Sequence, residues 1–233
     1  MIKIPEITNF LKQFSTSSVI LVEKNELKDM SKILDVFPLF PISIIVFPGE
    51  IQPLHIFEPR YKQLIGEMET SQGFFGIPYI KDGEMCMFGS LVSVHKILAK
   101  SPTGEMDILV RGAGIFMLND IEERLPGKLY GGGKITILNE MNHTVTQNLY
   151  EKYRFYRIQL EKSDPSVFSG IAVPSQHRIL DIAGQLPLQT EEKYSIIKFE
   201  ENTQREEFLM KKLDFLLMIN QKLEEVGYRF YLN

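Results

Sequence analysis

The sequence predicts an α+β protein: a β-barrel built from short strands, followed by a bundle of helices. Three observations carry this. From about residue 35 to 140 apolar residues alternate with polar ones, the period of a half-buried strand. Beyond about 140 they recur every three or four positions, the period of an amphipathic helix. In the first region turn-forming residues come at short intervals, so several short strands follow in series, the pattern of a closed or nearly closed barrel. Closure would remove exposed sheet edges, a physical reason for that architecture.

The domain reading follows: an extension over 1–34, the barrel over 35–140, and helices over 141–233 packed on it, with no flexible linker at the change of period. In the extension Ile4, Ile7, Phe10, Leu11 and Phe14 can line one face of a short helix, and Glu23 to Lys32 is polar. At 233 residues with 44% hydrophobic side chains, the chain can bury a core that needs neither disulfides nor a structural metal. Its one cysteine, Cys86, forbids an internal disulfide and suits a reducing cytoplasm. A net charge of −4 argues against a broad basic surface for nucleic acid. No apolar run reaches the roughly 20 residues that span a bilayer, and Val19–Val22 is too short for a signal core.

In chain order, the stretch from Leu39 to Tyr61 carries four prolines, Pro41, Pro48, Pro53 and Pro59. Each fixes its own φ and removes a backbone donor, so the segment breaks into short extended pieces. Phe47-Pro48-Gly49 is a corner, and Pro59 opens a helix carrying Tyr61, Leu64, Ile65 and Met68. The apolar run Phe74–Ile80 is a strand in which Pro78 marks an edge or bulge. Lys81-Asp82-Gly83-Glu84 turns the chain into a strand with Val92 and Val94, and Ser101-Pro102-Thr103-Gly104 turns it again. Met106, Ile108 and Val110 alternate with Asp107 and Arg111, Gly112-Ala113-Gly114 permits a bulge, and Ile115 to Ile121 follows. Pro126-Gly127 turns into a last strand with Ile135 and Ile137. A helix is predicted over 141–162 and a short one around Ile179–Leu186, stopped by Pro187. Thr190 caps a third, and Thr203-Gln204-Arg205-Glu206 reads as the capping box of a fourth that Gly227 ends.

Catalytic signatures are sparse. Gly131-Gly132-Gly133-Lys134 resembles a phosphate loop, but the first glycine position holds Lys128, the hydroxyl position holds Ile135, and a strand follows where a helix is needed. A glycine-rich turn or bulge is the better reading. His55, His95, His143 and His177 make no metal-ligand spacing, and a hydrogen-bonded structural role suits His55. Cys86 between two methionines reads as a small apolar residue. Catalytic residues, cofactor and metal are therefore all expected to be none. The one functional hint is apolar: Phe74, Phe75, Met85, Met87 and Phe88 gather around one hairpin and can either pack the barrel, the preferred reading, or meet a polypeptide.

The proline-rich stretch also carries a resemblance. Leu39-Phe40-Pro41, Phe47-Pro48-Gly49 and above all Pro53-Leu54-His55-Ile56-Phe57-Glu58-Pro59-Arg60-Tyr61 resemble the signature of the Lon N-terminal (substrate-binding) domain family. Phe75-Gly76, Gly89-Ser90-Leu91-Val92, Asp107 to Gly112, Leu186-Pro187-Leu188 and Arg205-Glu206 extend it over roughly 36–225. One departure is Ile115-Phe116, where the family often has an Arg-Phe pair. The resemblance implies a PUA-like β-barrel (pseudobarrel) with a C-terminal helical bundle, and polypeptide binding. The chain has neither a P-loop nor room for the ATPase and peptidase modules of full Lon proteases, so a standalone, non-catalytic member is expected. Within the motif Glu58, Arg60 and Tyr61 are read as fixing the helix start rather than forming a recognition surface. The expected role is binding unfolded or apolar polypeptide segments, or a partner protein, as an adaptor or chaperone-like factor in the cytoplasm, with possible self-association. An RNA-binding PUA-like module and a small-molecule enzyme with dispersed pocket residues are the alternatives.

Overall fold

The computed structural model describes residues 33–163, 166 and 177–226. The expectations for 1–32 and for Gly227 fall outside these. The chain divides into two compact units, the first ending at Asn139 and the second beginning at Glu140.

Among the described residues the first unit is a six-stranded sheet and one helix. Its elements are β1 (Ile33–Pro38), β2 (Ile51–Ile56), α1 (Pro59–Ser71), β3 (Phe74–Lys81), β4 (Glu84–Lys100), β5 (Met106–Glu122) and β6 (Gly132–Ile137). Every ladder is antiparallel, in the order β1-β6-β5-β4-β3, with β2 paired to β5. The second half of the predicted region is therefore two long strands, β4 and β5, of 17 residues each, where the sequence suggested shorter ones. Glycine explains the difference. At Gly112-Ala113-Gly114 the chain bulges, pairing Leu91 with Gly114 and Val92 with Gly112, and continues as one bent strand.

The expected barrel closure is corrected. Among the described residues no ladder joins β1 to β3, and the two ends of the sheet meet where Leu39 and Ile42 form isolated parallel bridges to Gly76 and Tyr79. The prolines at 38 and 41 are the reason: each lacks a donor, so a continuous ladder cannot form through them. The backbone N–H groups of Phe40 and Ile42 still donate to the carbonyls of Gly76 and Pro78, which covers the outer edge of β3.

Two apolar clusters fill the unit. One unites Phe40, Val46, Ile56, Phe75, Ile77, Val92, Ile108 and Val110 with Tyr61, Leu64, Ile65 and Met68 of α1. The other joins Phe37, Leu39, Phe74, Leu91, Phe116, Ile135 and Ile137. Helix α1 starts where the prolines allow: Glu58 is extended, Pro59 occupies the first turn, and Gln72 in the left-handed region ends it. Burying its four apolar side chains contributes about 1.5–3 kcal/mol each. The turns follow their residues. Asp82 and Gly83 both have positive φ, as a two-residue hairpin requires, and β3 and β4 bulge between Pro78 and Ile80.

The second unit is helical: α2 (Gln147–Ser163), α3 (Ile179–Ala183), α4 (Thr190–Lys198) and α5 (Asn202–Val226). Within the span predicted as a helix over 141–162, Val145, Leu149, Tyr153, Tyr156 and Leu160 are buried. The helix begins later than the expected 141, because Val145 donates to the His177 carbonyl and Ile179 to that of His143, so this backbone is committed to another strand of chain. The cap of α4 is Gln189, not Thr190; Gln189 and Glu192 form the capping box. The box predicted at Thr203 is also not made. Glu206 instead accepts hydrogen bonds from the Thr146 N–H and hydroxyl. Among the described residues no helix is long and apolar enough to cross a membrane.

Candidate functional site

The proline-punctuated segment builds the surface of interest. Ile45, Val46 and Phe47 are buried, and the Val46 N–H donates to the hydroxyl of the buried Ser90 at 2.8 Å. Phe47-Pro48-Gly49 then reverses the chain. Gly49 has a φ of +83°, and the Glu50 N–H returns to the Phe47 carbonyl at 3.1 Å. The Glu50 carboxylate accepts from the Phe47 N–H and braces the corner. Pro41 and Pro48 lie half-buried on either side of the buried run.

The chain leaves this corner as β2, whose faces differ. Ile56 is buried and Gln52 and Leu54 half-buried, whereas Ile51, Pro53, His55 and then Phe57 are exposed. The alternation also assigns the backbone. The Glu50 carbonyl accepts from Gly112 N–H of β5, so the even-numbered residues turn their polar groups to β5 and Ile51, Pro53 and His55 turn theirs away. Proline suits that outward position because it has no donor to lose from the ladder. Among the described residues no strand or loop hydrogen-bonds to this outer edge.

The polar members of the motif are paired on its surface. His55 Nδ1 lies 2.7 Å from Asp107 Oδ1, its cross-strand neighbour, and its ring stacks on Phe57 with centroids 6.0 Å apart. Arg60 Nε donates to Glu58 Oε2 at 2.8 Å, and its guanidinium lies 4.5 Å from the Tyr61 ring centre. Tyr61 is buried beneath, where burial pushes its phenol above the usual range against the lowering effect of Arg60. Both ion pairs are exposed and worth little stability, so they orient side chains more than they stabilise.

The hairpin cluster is split by the fold. Phe74 and Phe75 are core residues, and they cannot meet a partner without unfolding. Met87 is 57% exposed and Met85 37%, Phe88 is half-buried, and Cys86 is half-buried between them. The reason is register: Phe74 and Phe75 pair with Ser93 and Val92 inside the sheet, whereas Met85 and Met87 sit near the β3–β4 turn. Among the described residues no group of three or more His, Cys, Asp or Glu side chains could hold a metal ion.

Residues 36–214 match the family model described as the ATP-dependent protease La (LON) substrate-binding domain. The chain belongs to this family. It is 25% identical over 141 residues to a Lon protease of Parabacteroides distasonis, covering 56% of this chain and 16% of that one. It is 22% identical over 223 residues to Lon protease 1 of Hydrogenovibrio crunogenus, covering 85% and 27%. The chain thus spans well under a third of the length of these relatives. In fold it is similar to a Lon N-terminal domain protein from Xanthomonas campestris, with a TM-score of 0.55, 18% identity, and 76% of this chain and 98% of that chain covered. It is also similar to the N-terminal domain of the Mycobacterium avium complex Lon protease, with a TM-score of 0.53, 15% identity, and 77% and 98% covered.

Two features of this LON substrate-binding domain surface escaped the sequence reading. Ile51 is 42% exposed beside Arg111, its partner in register on β5. Arg111 Nε is buried with no hydrogen-bond partner. The alternation of β5 does place Arg111 opposite the core face, but only the pairing of β2 with β5 brings it to the open edge.

Proposed function

We propose that this LON substrate-binding domain holds unfolded or apolar polypeptide segments without transforming them, as an adaptor or chaperone-like factor in protein quality control. The observation that carries the reading is the family match itself, a substrate-binding domain extending over 36–214. Exposed apolar side chains support it: Ile51 and Phe57 on and after β2, and Met85 and Met87 on the hairpin. Methionine and aromatic groups adapt to varied apolar partners. In this reading Pro41, Phe47, Pro48, Gly49, Glu58, Pro59, Arg60 and Tyr61 build the frame, and Met85 and Met87 meet the polypeptide.

The finer fold belongs to the same proposal. The bent strands of the first unit, with Leu39 and Ile42 bridging to β3, suit a PUA-like pseudobarrel, and the second unit suits a C-terminal helical bundle. The helical unit exposes Phe155, Ile158, Phe215 and Met218, a composition suited to self-association. The net charge of −4 favours protein over nucleic acid as the partner, and the single cysteine suits a reducing cytoplasm as the place of work.

The test is equilibrium binding of the purified chain to a permanently unfolded protein such as casein, with folded protein as control. The reading expects saturable binding of the unfolded protein alone, and no turnover of ATP or casein. Turnover abolished by a point mutation, or equal binding of folded and unfolded protein, refutes it.

A further inference from the structure

We infer that β2 is a strand-addition site: an extended polypeptide segment bearing an acidic side chain pairs with the outer edge of Ile51–Ile56, its carboxylate meeting Arg111. The inference rests on the polypeptide-binding reading above and specifies its mode.

Three observations converge. First, edge management differs around the sheet. The outer edge of β3 is covered by hydrogen bonds from Phe40 and Ile42, whereas among the described residues nothing pairs with the outer edge of β2. The Ile51 N–H and C=O, the Pro53 C=O and the His55 N–H and C=O are all directed there, which an added strand satisfies through its own backbone whatever its sequence. Second, the side chains along this edge form a row of apolar and aromatic-ring groups. Ile51, Pro53, His55 and Phe57 are exposed together, and the Phe57 ring, 58% exposed, stacks on His55 at one end. Alternate side chains of an added strand would lie against that row.

Third, charge selects the occupant. Arg111 lies opposite Ile51, so a residue added beyond Ile51 stands two strand spacings away, about 10 Å, a span that arginine and glutamate side chains close together. Among the described residues Arg111 makes no ion pair, and its Nε is buried without a partner. Exposed Lys96, in register with Leu109 beside it, adds a second cation, while Asp107 is already engaged by His55. A carboxylate is the ligand group that satisfies this corner.

The probe is a labelled peptide of about ten residues, alternating valine and threonine with one central glutamate. Its twin carries lysine at the centre, and two further versions carry N-methyl groups on one or the other alternate set of amides. Casein binding is measured in parallel. The glutamate peptide is expected to bind, with the lysine twin about tenfold weaker. Arg111→Met should remove that difference. Methylation of one alternate set alone should abolish binding. If casein binds but both methylated peptides behave alike, or the charge twins bind alike, strand addition is overturned and polypeptide binding stands. If neither casein nor any peptide binds, both fall.

Discussion

The Tyr130 hydroxyl donates a 2.5 Å hydrogen bond to Glu67 Oε2, closing 63 residues of chain and tying helix α1 to the turn between β5 and β6. Around it Lys128 Nζ reaches the same oxygen at 2.8 Å, Gln63 donates to Glu67 Oε1, and Gln63 in turn accepts from the Leu129 N–H. Burial alone would raise the Glu67 pKa; the hydrogen bonds from Lys128 and Tyr130 and the charge of Lys128 outweigh it and hold the carboxyl below its ordinary 4.5. Burial and Glu67 together push the Tyr130 phenol well up, so it stays a donor at any physiological pH.

A depressed carboxylate pKa stabilises the fold above the unfolded value, and that stability is lost as pH falls through the folded value. Glu67→Gln should therefore cost about 1 kcal/mol near neutrality, solvent screening keeping it small, and the cost should begin to shrink near the unfolded carboxylate range of about 4 and be gone once the pH has fallen through the lower folded value. Tyr130→Phe should cost about 1 kcal/mol. Urea unfolding of wild type and both variants across this pH range checks the sign. A Glu67→Gln deficit that does not shrink in acid would refute it.

Two glycines should respond to alanine in opposite directions. A Cβ on Gly112 would stand 2.0 Å from the Phe47 carbonyl oxygen, a backbone atom held by the Phe47-Pro48-Gly49 corner. Gly112→Ala should thus destabilise by more than about 3 kcal/mol, or prevent folding, through forced displacement of the corner. Gly66 lies inside α1 with nothing within 4 Å of the added carbon. Gly66→Ala should stabilise by about 0.5–1 kcal/mol, since alanine loses less backbone freedom on entering a helix. Thermal unfolding of the two variants reads both signs at once.

What the sequence made legible was local. Pro59 and the spacing of Tyr61, Leu64, Ile65 and Met68 announce α1, and each turn residue sits where a turn is observed. What it hid was tertiary competition. The sequence Thr203-Gln204-Arg205-Glu206 satisfies the rule for a capping box, yet Glu206 bonds Thr146, 60 residues away, where it meets both the backbone N–H and the hydroxyl of one residue just ahead of α2. The hairpin apolar residues read as one patch, but cross-strand register sends Phe75 inward and leaves Met87 outside. The open edge of β2 was illegible for the same reason: which strand lacks a second neighbour depends on pairings that no local pattern encodes.

Arg205 should prove indispensable to the helical unit. It is 5% exposed, and its guanidinium donates to the carbonyls of Ile196 and Phe199 and to Asn202 Oδ1, closing the end of α4 onto the start of α5. Arg205→Met keeps the stem but leaves the two carbonyls without that donor, and should cost about 2–4 kcal/mol. Arg205→Lys should recover only part, because one ammonium cannot reproduce the planar fork. Denaturant midpoints decide this; a Lys variant as stable as wild type would show that the charge, not the fork, matters.

The hairpin methionines allow binding to be separated from folding. Met87 projects into solvent at 57% exposure and Met85 at 37%, so replacing both by serine removes few contacts and should change stability by no more than about 0.5 kcal/mol. Burying two such side chains against a polypeptide is worth about 1–3 kcal/mol in total, because each is already partly covered. The double variant should then bind casein roughly five- to 160-fold more weakly. Phe75→Ala is the contrasting control: fully buried in the core, it should cost about 3–5 kcal/mol of stability and lose binding only through unfolding. Anisotropy titration beside a thermal melt separates the cases. Unchanged casein affinity in a folded Met85→Ser/Met87→Ser protein would remove the hairpin from the binding surface.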